Sequence, residues 1–170
     1  MDENKKKYNE YLKTHISNVK KCFFDILDIL ADSGEFTPSE LKDIKNIVEN
    51  HDRSKYSEEE YYPYLRNFYP ENEDQKNANK KDYDSAWNHH QKSNPHHWQY
   101  WILIRDGGVE KILDMDKRYV IEMLCDWGAF KYVNPDSTAH SWYEKMKDKM
   151  KLSDNTRKLV EKYLKMCPNL

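Results

Sequence analysis

Glycine and proline are scarce, with 4 and 6 residues in a chain of 170. So few breakers mean that long helices should dominate. Cysteine is scarce as well. Cys22, Cys125 and Cys167 are odd in number and widely spaced, and no CxxC pair occurs. That pattern suggests neither a zinc ribbon nor a disulfide framework. No apolar run reaches the length needed to cross a membrane. The charged segment Met1–Lys7 is not followed by a signal-peptide core, so a reducing cytoplasm is the expected compartment. A large charge excess is also missing: 28 Lys and Arg face 30 Asp and Glu, for a net charge of -2. No global positive field recruits nucleic acid, and no duplex partner is expected. Small anionic substrates remain open, because a local metal site can outweigh the net charge. There is no internal repeat, linker or low-complexity tract, so residues 1–170 read as one domain.

What the chain has is aromatic residues, at 14%, against 38% hydrophobic and 34% charged. The aromatic content argues against disorder, and the core must lean on Tyr, Trp and Phe. From Asn4 to Ala31, the positions Tyr8, Tyr11, Leu12, His15, Val19, Cys22, Phe23, Ile26, Leu27 and Leu30 follow one helix face. Cys22 on that face, and Cys125 further on, read as small core residues. Thr37-Pro38-Ser39-Glu40 starts a second helix, with Thr37 as N-cap and Glu40 completing a capping box. This helix runs to about His51. Ser57 caps a short helix to about Phe68, interrupted or bent near Pro63. Pro70–Asn79 reads as a loop and Lys80–Gln91 as a helix. Asn94-Pro95 then restarts a helix. Arg105-Asp106-Gly107-Gly108 is a turn between two short apolar runs, which fits a small hairpin near residues 100–114, the alternative being that the first run stays helical. Met115–Lys131 is a strongly patterned helix. Ala139–Lys151 and Asp154–Met166 close the chain, the latter capped by Ser153. The fold class is therefore all-α, a compact helical bundle with one small hairpin.

Five of the seven histidines sit in three short motifs: His51-Asp52, His89-His90 and His96-His97. His15 stands on the apolar face of the first helix. Asp126 lies between Cys125 and Trp127 in a later apolar helix. Taken singly, a His on an apolar face is usually a hydrogen-bonded core residue, and a lone Asp is usually satisfied by a neighbour. As a set they suit a divalent transition metal such as Zn, Fe, Mn, Co or Ni. Helical bundles build metal sites from such residues facing inward on several helices. Burying His15 and Asp126 without a shared partner would be costly.

An isolated His, a His-Asp pair at a helix end and an Asp on a later helix resemble the signature of the HD superfamily of metal-dependent phosphohydrolases. His15, His51-Asp52 and Asp126 match that order. His51-Asp52-Arg53-Ser54-Lys55 is similar to the HD-x-small-K version of the HD-GYP phosphodiesterases. The paired histidines around Asn94-Pro95, with Asp126-Trp127, resemble a group of small HD-like bacterial and phage proteins that bring no established activity. The resemblance implies an HD-like bundle in which His15, His51, Asp52 and Asp126 ligate a first metal. In two-metal members Asp52 would bridge, and two more histidines would hold the second ion. The candidates are His89 or His90, then His96 or His97. His90 continues the side of Ala86 and Trp87, and His97 precedes Tyr100 and Trp101 by helical spacing, so His90 and His97 are chosen.

Such a centre turns water into a nucleophile. The resemblance then implies hydrolysis of a small phosphorylated substrate, a nucleotide or another phosphate ester, with Asp52 and Lys55 as the catalytic pair. Lys55, one turn after His51, would reach a phosphate oxygen, though by position alone a solvated lysine is about as common a reading. Arg53 and Arg105 are further cations that spacing does not single out. Tyr61, Tyr62, Tyr64 and Tyr69 can stack on a base, although helical spacing makes core packing their commoner use. The competing expectations are an HD-type di-iron oxygenase, a non-catalytic metal- or nucleotide-binding protein, and a metal-free helical protein.

Overall fold

The computed structural model describes residues 3–170. Met1 and Asp2, which open the charged N-terminal segment, lie outside the described residues. Helix α1 spans Glu3–Asp32 and is the spine of the molecule. Its buried stripe of Tyr8, Leu12, His15, Val19, Cys22, Phe23, Ile26 and Leu30 repeats at the helical period. Tyr11 departs from the expected face and is 41% exposed.

Helix α2, Pro38–Glu49, starts at the capping box of Thr37 and Glu40. After it the chain turns sharply at Asp52, where φ is 56°. Asp52 has the one left-handed backbone among the described non-glycine residues. Aspartate tolerates that region better than most residues, but the conformation still costs on the order of 1 kcal/mol. A short 3-10 turn over Arg53–Tyr56 follows, then α3 over Glu58–Phe68. Pro63 lies inside α3 and does not interrupt it.

Two expectations about the middle of the chain need correcting. The Pro70–Asn79 stretch contains a short helix, α4, Glu73–Ala78, whose N-cap Asn72 accepts from the Gln75 amide. Asn94-Pro95 does not restart a helix. Asn94 is instead the C-cap of α5, Lys80–Ser93, and a 3-10 turn over Trp98–Trp101 follows. The Asn94 side chain bonds the His90 carbonyl at 2.8 Å, so it closes one helix rather than opening the next.

The expected hairpin is present, with β1, Ile102–Ile104, antiparallel to β2, Glu110–Ile112. Helix α6, Lys117–Gly128, is buried along most of its length. Helix α7, Ala139–Met146, is shorter than its sequence pattern, and α8, Asp154–Met166, is capped by Ser153. Among the described residues no helix is long and apolar enough to cross a membrane.

The buried apolar residues form two clusters. The larger joins α1, α2, α6, α7 and α8, and includes Phe23, Ile26, Ile44, Leu124 and Tyr163. The smaller joins α1, α3 and α5 through Tyr8, Leu12, Tyr64, Leu65 and Ala86. On α1, His15 lies between Leu12 of the small cluster and Val19 of the large one. The polar centre therefore sits where the two apolar regions meet.

Candidate metal centre

Five segments bring the ligand candidates together. Helix α1 contributes His15, and the turn after α2 contributes His51 and Asp52. Helix α5 contributes His90, the following turn His96 and His97, and α6 contributes Asp126. The left-handed turn at Asp52 lets two consecutive residues both face inward, which a continued helix would prevent by rotating the second about 100°.

Asp52 is the hub. Its Oδ2 lies 3.6 Å from His51 Nε2, 3.9 Å from His15 Nε2 and 2.6 Å from Lys55 Nζ. Its Oδ1 lies 3.3 Å from His90 Nε2 and 3.5 Å from His96 Nε2. Asp126 Oδ1 adds contacts of 3.0 Å to His15 Nε2 and 3.6 Å to His51 Nε2. The two oxygens of one carboxylate thus face two different histidine groups. His15 and His51 group with Asp52 on one side and His90 and His97 on the other, while His96 lies between them, grouped with His90 and His97 and also with His51 and Asp126.

A second ring of carboxylates orients the imidazoles. His51 Nδ1 donates to Glu122 Oε1 at 2.8 Å, and His96 Nδ1 reaches the same oxygen at 3.2 Å. His90 Nδ1 donates to Glu60 Oε2 at 2.7 Å. Each Nδ1 is thereby given to a carboxylate, and Nε2 is turned inward with its lone pair. This is the arrangement that metal-ligating histidines favour. The Nε2 atoms of His51, His90, His96 and His97, together with Asp52 Oδ1, are buried and meet no hydrogen-bond partner. Each such atom costs about 1–3 kcal/mol if left unsatisfied. The set is expensive against a domain stability of roughly 5–15 kcal/mol. A cation shared among them removes that cost, so the residues fit a metal. The buried His and Asp groups can hold a metal ion.

Without an ion, protons take up part of the same role. Burial disfavours the charge on His51, but Asp52, Asp126 and Glu122 outweigh it and hold the imidazole well above its usual range. His90 is also raised: burial opposes its charge, and its bonds to Asp52 and Glu60 more than offset this. Burial would raise Asp52 and Asp126, yet the histidines around both, with Lys55 beside Asp52, hold them well below the carboxylate range. His97 is pushed down to about 2 by burial and by neighbouring His96 and His90, so its ring stays neutral and available as a ligand.

Each residue named from the sequence has a place in this geometry. His15, His51, Asp52, His90, His97 and Asp126 all lie in the cluster. His89 turns outward, with a side chain 42% exposed, and donates to Glu60 Oε1. His96 was the alternative to His97, and the structure brings both in. Lys55 sits on Asp52. Arg53 and Arg105 are exposed, Arg105 at the hairpin turn. Glu60 and Glu122 escaped the sequence reading. Glu122 precedes Asp126 by four residues in an otherwise apolar helix, and that i,i+4 pairing was the available signal. Glu60 was masked by its exposed neighbours Glu58 and Glu59.

Fold and site together define a mostly helical protein with a candidate histidine–aspartate metal centre. The chain belongs to the family described as "Family of unknown function (DUF5662)", whose model matches residues 4–166. No curated protein and no solved structure matches it.

Proposed function

We propose that the protein is a cytoplasmic metal-dependent phosphohydrolase, related to the HD superfamily, that acts on a nucleotide or another phosphate ester. The observation that carries this reading is the convergence of unpartnered imidazole Nε2 atoms on both oxygens of Asp52. His15, His51, Asp52 and Asp126 would hold a first divalent ion. His90, His96 and His97, with Asp52 shared, would hold a second. Ions bound there would lower the pKa of water towards neutrality and would neutralise charge developing on a phosphoryl group.

The protein's own groups have separate tasks. Glu122 and Glu60 fix the imidazoles through Nδ1. Asp52 offers one oxygen to each side. Lys55 is pulled down by burial, but its contact with Asp52 outweighs this and keeps its ammonium charged. It can bind a phosphate oxygen next to the ligand cluster. Protein purified without chelator or nickel resin is expected to carry transition metal. Loaded with Mn, Co, Ni or Fe, it is expected to release phosphate or a phosphoester from a broad panel. Cleavage of no panel member by loaded protein overturns the reading.

A di-iron oxygenase is the second reading. Three imidazoles, those of His90, His96 and His97, grouped with Asp52 favour it, because such a nitrogen-rich site suits iron. Iron content and an EPR signal after partial oxidation separate the two.

A further inference from the structure

A cavity of about 400 Å³ opens beside the ligand cluster, between α1, α3 and α5. This is the size of a small-molecule site. Its walls include Tyr8, Tyr11, Tyr64, Tyr83 and Trp87, and Lys55 is the one charged residue among the described residues that line it.

Four of these walls touch ligand candidates directly, Tyr64 among them, edge-on to His90 at 5.7 Å. Tyr11 stacks on His15, with ring centroids 6.0 Å apart and planes 7° apart. Trp87 stacks on His90 at 5.8 Å and meets His97 edge-on at 5.3 Å. Lys55 bridges the two regions. Its Nζ lies 2.6 Å from Asp52 Oδ2 and 5.6 Å from the centre of the Tyr64 ring. A molecule in the cavity therefore has one end against the candidate metal centre.

Two of the lining residues also carry hydroxyls that the fold does not use. The hydroxyls of Tyr8 and Tyr64 are buried and meet no hydrogen-bond partner. Tyr8 is 1% exposed and Tyr64 5%. A phenol O–H without a partner can donate to an oxygen of a bound molecule. Unsatisfied hydroxyls in a ligand site are normal where the ligand supplies the acceptor.

We infer that this cavity holds the flat, uncharged ring of a phosphate monoester, with the phosphate towards Lys55 and the histidine–aspartate cluster. Aromatic walls take a planar ring by stacking, which tolerates many ring types. One lining cation fits one phosphate. Di- and triphosphates would place further negative charge among phenol rings with no second lysine or arginine to meet it. The inference rests on the proposed phosphohydrolase reading and narrows its substrate to ring-bearing monophosphates.

The test is calorimetric binding to the Mn-loaded protein, with AMP and phenyl phosphate as ring-bearing probes, and glycerol 3-phosphate and ATP as controls. Metal content and phosphate release are measured in parallel. AMP and phenyl phosphate are expected to bind about tenfold tighter than glycerol 3-phosphate, or more, and tighter than ATP. Tyr83→Leu is expected to remove most of that preference while leaving metal content unchanged. Tyr64→Phe keeps the ring and its packing, and is expected to weaken the ring-bearing probes severalfold through loss of the hydroxyl. Equal affinity for ring and glycerol phosphates overturns the inference, as does a preference that survives Tyr83→Leu in folded protein. If glycerol 3-phosphate is hydrolysed as well as AMP, the phosphohydrolase reading stands and the ring site falls. If AMP binds selectively but nothing in the panel is hydrolysed, the ring site stands and the hydrolase reading falls.

Discussion

His51 donates through Nδ1 to Glu122 Oε1 at 2.8 Å, and this bond turns its Nε2 towards Asp52 and Asp126. The same Glu122 oxygen lies 3.2 Å from His96 Nδ1. One buried carboxylate therefore steers an imidazole on each side of Asp52. Glu122 itself is held below the carboxylate range: burial raises it, and His96 and His51 together more than compensate.

Glu122→Ala is accordingly expected to weaken metal binding by about 10–100-fold, the usual loss when an outer partner of a metal-ligating histidine is removed. Glu122→Gln keeps an acceptor oxygen and should lie between the two. Titration of the apo-protein with Zn or Mn measures both. Wild-type affinity in folded Glu122→Ala would reduce Glu122 to a packing residue.

Asp52 is the group both sides share, so its substitution should differ in kind from the others. Asn fits the left-handed backbone at φ 56° about as well as Asp does, so Asp52→Asn should preserve the turn. It removes the anionic bridge and is expected to empty both sides. Asp126→Ala should empty the His15–His51 side and spare the other, and His90→Ala should do the reverse. Elemental analysis of the three variants distinguishes the outcomes. Equal metal content in Asp52→Asn and wild type would remove Asp52 from the ligand set.

The sequence carried much of this, for identifiable physical reasons. Helical period and capping chemistry placed α1, α2, α6 and α8, because each has a long apolar stripe or a side-chain cap. Helix α4 was hidden because its six residues are polar and bury no stripe. Asn94 misled because the same residue type caps either end of a helix, and only the fold decides which. In the site, residues with a distinctive order, such as His51-Asp52 and Asp126, were visible. Those that act by contact across the fold were not. His96 and Glu122 meet over 26 positions, and no local pattern announces that pairing.

The α1–α6 contact that brings His15 to Asp126 depends on a close approach at Gly128. A β-carbon there would meet Cys22 Sγ at 2.8 Å. Gly128→Ala is expected to destabilise by about 1–3 kcal/mol through overpacking, a Tm drop of roughly 2–12 °C. Cys22→Ala removes the clashing sulfur, so the double variant should lose less than the sum of the two singles. Additive losses in thermal melts would place the strain elsewhere, against Leu170 for example, whose backbone carbon lies 3.5 Å away.

Metal and protons should compete for the same atoms, with a definite sign. In the metal-free protein His51 and His90 are raised above their usual value, against the effect of burial, by Asp52, Asp126, Glu122 and Glu60. A raised histidine stabilises the fold fully below its unfolded value of about 6.5 and loses that contribution as pH rises through the folded value. The depressed carboxylates Asp52 and Asp126 behave oppositely, stabilising above their unfolded values and losing this towards acid. Apo stability should therefore fall on both flanks, and on the alkaline side the loss comes from the histidines. A bound ion replaces those protons, so loading should release protons and its affinity should climb with pH above about 6.5. At about 100 times Kd the ion adds roughly 2.7 kcal/mol. At fixed metal, the gain in Tm should be larger near pH 8 than near pH 6, and calorimetry in buffers of different ionisation enthalpy should report proton release. A gain in Tm that is the same at both pH values would mean that the ion does not displace protons from His51 and His90.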